Sequence, residues 1–296
     1  MTARPDLTNW GRWGEADERG ALNYIDPEKV RGALHGVTLG RVIGLGLPID
    51  ARNSKAPAHR CQPMHYMQRD GGDYAGDARR PGGFQFAEDV VVMATHTGTH
   101  MDALSHAWTE DRLYNGFSSL SIRSTSGAKH CGIDKVGPVV TRGVLLDFVA
   151  RNGGQPLDAG YQITAADVRQ LLDAERLAID TGDAVLIRTG WVTRGLDSRG
   201  YYDSEPGIGV GAAEFLIGER CSLIGCDNYA VEVQPSRVDA PFPVHVLALR
   251  QCGVHLIENL DLEELAASGA RHFAFMVAPL RISGGVGSPV APIAIV

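Results

Sequence analysis

The 296-residue chain is poor in cysteine, and its five cysteines form no Cys-x-x-Cys pair. Cys61, Cys131, Cys221, Cys226 and Cys252 are odd in number and scattered. A disulfide framework is therefore not expected, and a reducing cytoplasm is the expected compartment. No apolar run reaches the roughly 18 residues that a spanning helix needs, so no membrane span is expected. The opening MTARPDLTNWGRWGEADERG is polar and has no apolar core of the secretory type. No basic run appears, and the formal net charge is -7. A general nucleic-acid binder would need a basic patch to replace counterions, so that class is set aside. Phosphate-cradling signatures (G-x-G-x-x-G, G-x-x-x-x-G-K-[ST]) do not stand between a strand and a helix. Neither the nucleophile elbow G-x-S-x-G nor the zincin pattern H-E-x-x-H occurs, which argues against a serine hydrolase and a zincin protease.

What is present suits a soluble globular protein with a large core. Apolar residues make up 44% and charged residues 21%, and 36 Gly with 15 Pro promise many tight turns. Residues 1–36 read as a loop and then a short helix around Pro27 to Leu34. Arg41 to Asp50 reads as a strand. Residues 51–88, rich in Gly, Pro and Arg, read as a long loop of the kind that covers an active site. Asp89 to Thr95 (DVVVMAT) is expected to be a buried strand that feeds into His96. Further strands are expected at Val139 to Val149, Ala184 to Thr189, Cys221 to Cys226, Val254 to Ile257 and His272 to Leu280. The clearest helix runs from Ile163 to Glu175, with Thr164 and Asp167 as a capping pair. Shorter helices are expected at Gly211 to Glu219 and Leu262 to Ala267. The apolar C-terminal tail is expected to pack as an edge strand. Without regular strand–helix alternation, the pattern indicates one α/β domain rich in strands over residues 1–296, with an N-terminal arm over 1–36.

The strongest chemical signal is HTGTHMDALSH at residues 96–106. It places His96, His100, Asp102 and His106 within eleven residues of a chain that has ten His in all. Zinc and manganese take neutral imidazoles and carboxylates, with a position left open for water. Gly98 permits a turn, so His96 and His100 can face one centre. His100 and Asp102 are two apart and share a face of an extended strand. Asp102 has two oxygens and can bridge two ions. His106 lies beyond the set and can move a proton to or from a water activated there.

HTGTHMDALSH closely resembles the H-x-G-T-H-x-D-x-x-x-H signature of the cyclase family, which includes bacterial kynurenine formamidase and isatin hydrolase. NWGRWGEADERGALN, VLIRTGW, CDNYAVEVQP and HVLALRQCGVHLIENLDLEEL extend the likeness over most of the chain. The resemblance implies a swivelling β/β/α fold with a β-barrel-like core. It also implies a homo-oligomer, dimer or tetramer, and a small-molecule substrate. It implies that His96, His100 and Asp102 hold a first divalent ion, zinc or manganese. Asp102, His245 and Glu258 would hold a second where two are bound, and His106 is implied as the acid/base. His65, Tyr66, Trp108, Trp191 and Asn228 fall near segments that line the pocket in the family. His255 reads as structural, and Trp10 and Trp13 as anchors of the N-terminal arm.

These readings converge on a metal-dependent hydrolase of an amide or ester: lactam, imide, lactone or N-formyl amide. Two alternatives share the same residues: a metal-dependent cyclase or dehydratase of a small oxo-acid, and a non-catalytic metal-binding protein.

Overall fold

The computed structural model describes residues 7–50, 52–77 and 80–296. In chain order the strands are β1 (Val42–Gly44), β2 (Met64–Arg69), β3 (Glu88–Val92), β4 (His100–Asp102), β5 (Ile122–Arg123), β6 (Gly127–Ala128), β7 (Val139–Asp147) and β8 (Gln162–Ile163). They continue as β9 (Ala184–Arg188), β10 (Gly207–Ile208), β11 (Leu223–Cys226), β12 (His255–Glu258), β13 (His272–Val277), β14 (Gly287–Pro289) and β15 (Ile293–Ile295). The α-helices are α1 (Pro27–His35), α2 (Phe148–Arg151), α3 (Ala165–Glu175), α4 (Val210–Gly218), α5 (Pro243–His245) and α6 (Glu263–Ala267).

Nine strands form one curled half-barrel sheet in the order β1-β15-β13-β7-β9-β11-β12-β4-β14, within a single mixed α/β domain. The middle of the sheet, β7-β9-β11-β12, is parallel, and both flanks are antiparallel. Successive side chains on a strand point to opposite faces, and that period of two divides the core. Val144, Leu146, Val185, Ile187, Ile224, Cys226 and Leu256 join the layer that also holds the buried faces of α3 and α4. Leu145, Leu186, Leu223, Ile257 and Met101 join the opposite layer. Parity then assigns the site: His100 and Asp102 flank Met101, and Glu258 follows Ile257. All three therefore point to the same side as Leu256.

Most helical ends follow from the local sequence. Asp26 caps α1 by accepting from the Lys29 amide, with Pro27 in the first turn. Thr164 and Asp167 form the reciprocal capping box of α3. Val139 to Val149 splits at Asp147, whose side chain caps α2.

Several expectations need correction. The β-branched run at 89–95 does form β3, but the strand is largely exposed, not buried. Its composition reports strand propensity; burial needs a second layer, and among the described residues β3 pairs only with β2. Residues 51–88 are not loop throughout, because β2 lies within them. Arg41 to Asp50 contributes only the three residues of β1. The C-terminal strand β15 is not at an edge: it sits between β1 and β13. The N-terminal arm is fastened to the body: Trp10 Nε1 donates to the Arg250 carbonyl at 2.7 Å, and Trp13 packs edge-on against Tyr24.

Candidate metal centre

The turn before β4 is built around Gly98, at φ +63°. Left-handed backbone there suits glycine and reverses the chain between His96 and His100. Thr99 locks the turn: its hydroxyl donates to the Asn259 carbonyl at 2.6 Å and accepts from the Leu47 amide at 2.8 Å. The His96 imidazole lies over Gly287, where a Cβ would fall 2.4 Å from the ring. Glycine at 287 is therefore a requirement of the site, set by close approach. β12 pairs with β4 in a register that sets Glu258 directly opposite His100. Carboxylate and imidazole thus become cross-strand neighbours on one face.

The fifth residue arrives from another layer. α5 ends at His245 and runs on into a π-helical turn, Val246–Cys252, an irregularity frequent at functional sites. Glu232 orients His245. Its Oε1 accepts from His245 Nδ1 at 2.7 Å and from the His245 amide at 3.0 Å, and its Oε2 accepts from the Val244 amide at 3.2 Å. Nε2 of His245 is left facing Glu258 Oε1 at 3.2 Å and Asp102 Oδ2 at 3.7 Å. His100 is held in the same manner: Nδ1 bonds the Gly98 carbonyl at 2.8 Å. Its Nε2 faces Glu258 Oε2 at 3.1 Å and Asp102 Oδ1 at 3.7 Å. A hydrogen bond to one imidazole nitrogen fixes the tautomer and aims the other at the centre.

His96 Nδ1 is 2.7 Å from Asp102 Oδ1, and the His96 and His106 rings stack at 3.8 Å between centroids. Among the described residues, two groups are tight enough to hold an ion: His96, Asp102 and His106, and Asp102, His245 and Glu258. Their ligand atoms lie within 4.8 Å of one another. Asp102 belongs to both. His100 adds its Nε2 to the same pocket, and the structure also brings His106 within ligand range.

The electrostatics suit a cation. Asp102, Glu258 and Glu232 are all buried, a concentration of acid that a dry interior tolerates only with compensating positive charge. Burial raises the Asp102 carboxyl, yet the imidazoles of His106, His96 and His100 outweigh it and hold the group well below the usual range. Burial lowers His245, but Glu232 and Glu258 more than reverse this and raise it well above the ordinary value. His100 is raised by Glu258 and Asp102 against its own burial. His106 is pushed down to about 3, chiefly by burial, with Asp102 opposing and His96 and His245 adding to the fall. Protons on His100 and His245 thus occupy positions that a dication would take. His96 Nε2, His100 Nε2 and Asp102 Oδ2 are buried without a well-aligned hydrogen-bond partner. Short but misaligned approaches are what ligand atoms show when they aim at a common centre. The residues present fit a bound divalent ion.

A cavity of about 650 Å³ opens beside this cluster, walled by Tyr202, Tyr229, Phe242 and Lys55. Phe242 touches the site directly, its ring 5.3 Å from His245. Arg60 donates to the His96 carbonyl and lies over the Tyr229 ring at 5.6 Å. The five residues from less specific segments divide. Trp108 is 43% exposed and lines a second, apolar cavity of about 540 Å³. His65 and Tyr66 sit on exposed β2, where His65 pairs with Asp89 at 2.7 Å. Trp191 is buried among Tyr201 and its neighbours, with Nε1 donating to the Tyr201 carbonyl. Asn228 is also buried, donating to the Pro206 carbonyl and accepting from the Val231 amide. His255 is structural, bonding the Asp102 carbonyl at 2.8 Å from the back of β12.

A family model for the cyclases matches residues 33–233. The chain belongs to the cyclase family. A solved structure described as a novel cyclase superposes over 100% of both chains at 36% identity, with a TM-score of 0.91. Isatin hydrolase of Roseibium aggregatum is 27% identical over 221 residues, covering 71% of this chain and 75% of the relative. An isatin hydrolase solved with the product analogue thioisatinate shares the fold at 20% identity and a TM-score of 0.66, covering 92% of this chain and 99% of that one. Glu232, which bonds both the ring and the amide of His245, is the site residue that motif reading passed over. Its signal was faint but present: a carboxylate inside the buried apolar run Ala230 to Val233 must have a partner.

Proposed function

We propose that this cyclase-family protein is a metal-dependent hydrolase of a carbon–nitrogen or carbon–oxygen bond at a carbonyl, with cyclic amides and lactones as the foremost substrates. The observation that carries the reading is the sharing of Asp102 between two convergent groups, His96–Asp102–His106 and Asp102–His245–Glu258, with the Nε2 of His100 facing Asp102 and Glu258. His96, His100 and Asp102 would hold a first divalent ion, zinc or manganese, and Asp102, His245 and Glu258 a second. Such an ion supplies Lewis acidity, polarising a carbonyl and lowering the pKa of water toward about 7. His106 carries the proton: neutral at pH 7, it accepts one from the attacking water and returns it to the leaving nitrogen or oxygen. Glu232 keeps Nε2 of His245 turned inward. Tyr202, Tyr229 and Phe242 give the adjacent cavity aromatic walls, which supports a small planar substrate.

The homology to isatin hydrolase, which takes its name from a cyclic amide, supports the ring-opening direction over ring closure. Buried charge with no Cys in the ligand set supports an open catalytic site over a closed structural one. We also assign a homo-oligomer in the cytoplasm; the five cysteines are free thiols. No helix among the described residues is long and apolar enough to cross a membrane. The test is turnover of a panel of lactams, imides, lactones and N-formyl anilines by protein loaded with zinc or with manganese. Chelator-sensitive hydrolysis of at least one cyclic member is expected. Metal bound at full occupancy with no turnover of any member would overturn the reading.

A further inference from the structure

Asn259 follows Glu258 directly where β12 ends, and each of its polar groups is engaged. It is buried and holds left-handed backbone at φ +53°, a conformation that asparagine tolerates better than most side chains. Its amide N–H donates to the Asn228 carbonyl at 2.8 Å, and its carbonyl accepts from the Thr99 hydroxyl at 2.6 Å. Its Nδ2 donates to the Gly98 carbonyl at 3.2 Å, and its Oδ1 accepts from the Tyr201 hydroxyl at 2.7 Å. A backbone carbonyl can only accept, so the NH2 end of the side chain must face Gly98.

The Gly98 carbonyl also takes Nδ1 of His100, at 2.8 Å. Glycine by itself leaves that peptide plane free to turn, and a second donor on the same oxygen fixes its direction. Asn259 thus sets the carbonyl that sets His100, while its own backbone continues from Glu258. We infer that Asn259 is a positioning residue of the metal centre: its side chain holds the Gly98 carbonyl in the direction that aims Nε2 of His100 at Asp102 and Glu258. Tyr201 holds Asn259 in turn. That ring is buried against Trp191 and Tyr202, and the residue lines the larger cavity, so the ligand turn and the cavity wall share one frame. The inference rests on the metal-binding part of the proposed function and on neither its substrate nor its reaction.

The test is zinc affinity of the full chain by competition with a chromophoric chelator, with far-UV circular dichroism on every variant. Asn259→Gly permits the left-handed backbone and both main-chain bonds but removes the side chain. It is expected to bind zinc about 10-fold more weakly, within the range for outer-shell partners of metal ligands. Tyr201→Phe, which lacks only the hydroxyl, is expected to weaken binding by a smaller factor. It is expected to add nothing in the Asn259→Gly background, because it acts through Asn259. Tyr201→Phe alone carries the test if Asn259→Gly does not fold. Asn115 is the matched control: it too is buried and left-handed, at φ +57°, but its side chain bonds the N-terminal arm. Asn115→Gly is expected to keep the wild-type affinity. Wild-type affinity in a folded Asn259→Gly or Tyr201→Phe protein would overturn the inference and leave the metal reading standing. So would an Asn115→Gly protein that binds as weakly as Asn259→Gly, or full additivity in the double variant. A wild type that binds no zinc would overturn both.

Discussion

His100 and His106 both approach Asp102, but their surroundings differ. His100 is completely buried, with Nδ1 tied to Gly98, so its Nε2 has no role open to it except toward the centre. His106 stacks on His96 and carries no such tether. Replacing His100 by Ala is expected to empty the first site, seen as loss of metal by elemental analysis after dialysis. Replacing His106 by Ala is expected to leave metal content intact and to lower kcat by about 10²- to 10⁴-fold, the usual yield of general acid–base catalysis. Metal lost from the His106 variant would make that residue a ligand instead. Glu232 acts one step further out, as a positioning residue. Glu232→Gln keeps the shape but removes the charge that orients His245, and metal affinity is expected to fall about 10- to 100-fold in competition with a chromophoric chelator. Unchanged affinity would reduce Glu232 to a support of α5.

At the scale of elements, the site is a product of register. β4 and β12 set His100 against Glu258, and β14 follows on the other side of β4 with Gly287 beneath His96. Gly287→Ala is therefore expected to displace the His96 ring and to weaken metal binding, with a stability loss of about 1–3 kcal/mol typical of overpacking. Denaturant midpoints and metal titration together check this, and an unaltered titration would contradict it. Element-level reading of the sequence succeeded where periodicity and caps agree, as in α1, α3, β9 and β12. It failed at β3, where a Val-rich run looked buried because composition carries no information about whether a second layer exists. It failed in part at the C-terminus, since only long-range pairing with β1 and β13 reveals an inner strand.

For the whole molecule, the local part of the site was legible because four of its side chains fall within residues 96–106. His245 and Glu258 came from resemblance, since about 150 residues separate them from the motif and no spacing rule joins segments so far apart. Glu232 stayed hidden because its partner is another side chain of the site. The assembled cluster places Asp102, Glu258 and Glu232 together in a dry interior, so a bound cation should stabilise the fold. Removing it with chelator is expected to lower the melting temperature by roughly 5 °C, and zinc or manganese should restore it; that is the size of effect from an ion at about 100 times its dissociation constant. A melting curve indifferent to chelator and metal would show that the carboxylates are compensated by protons alone.

The most direct measurement is an anomalous difference map from crystals grown with zinc, with data collected above and below the metal edge. A peak within bonding distance of Asp102 and the imidazoles of His96 and His100 is the expected result. Full zinc occupancy elsewhere on the chain, with that position blank, would contradict it.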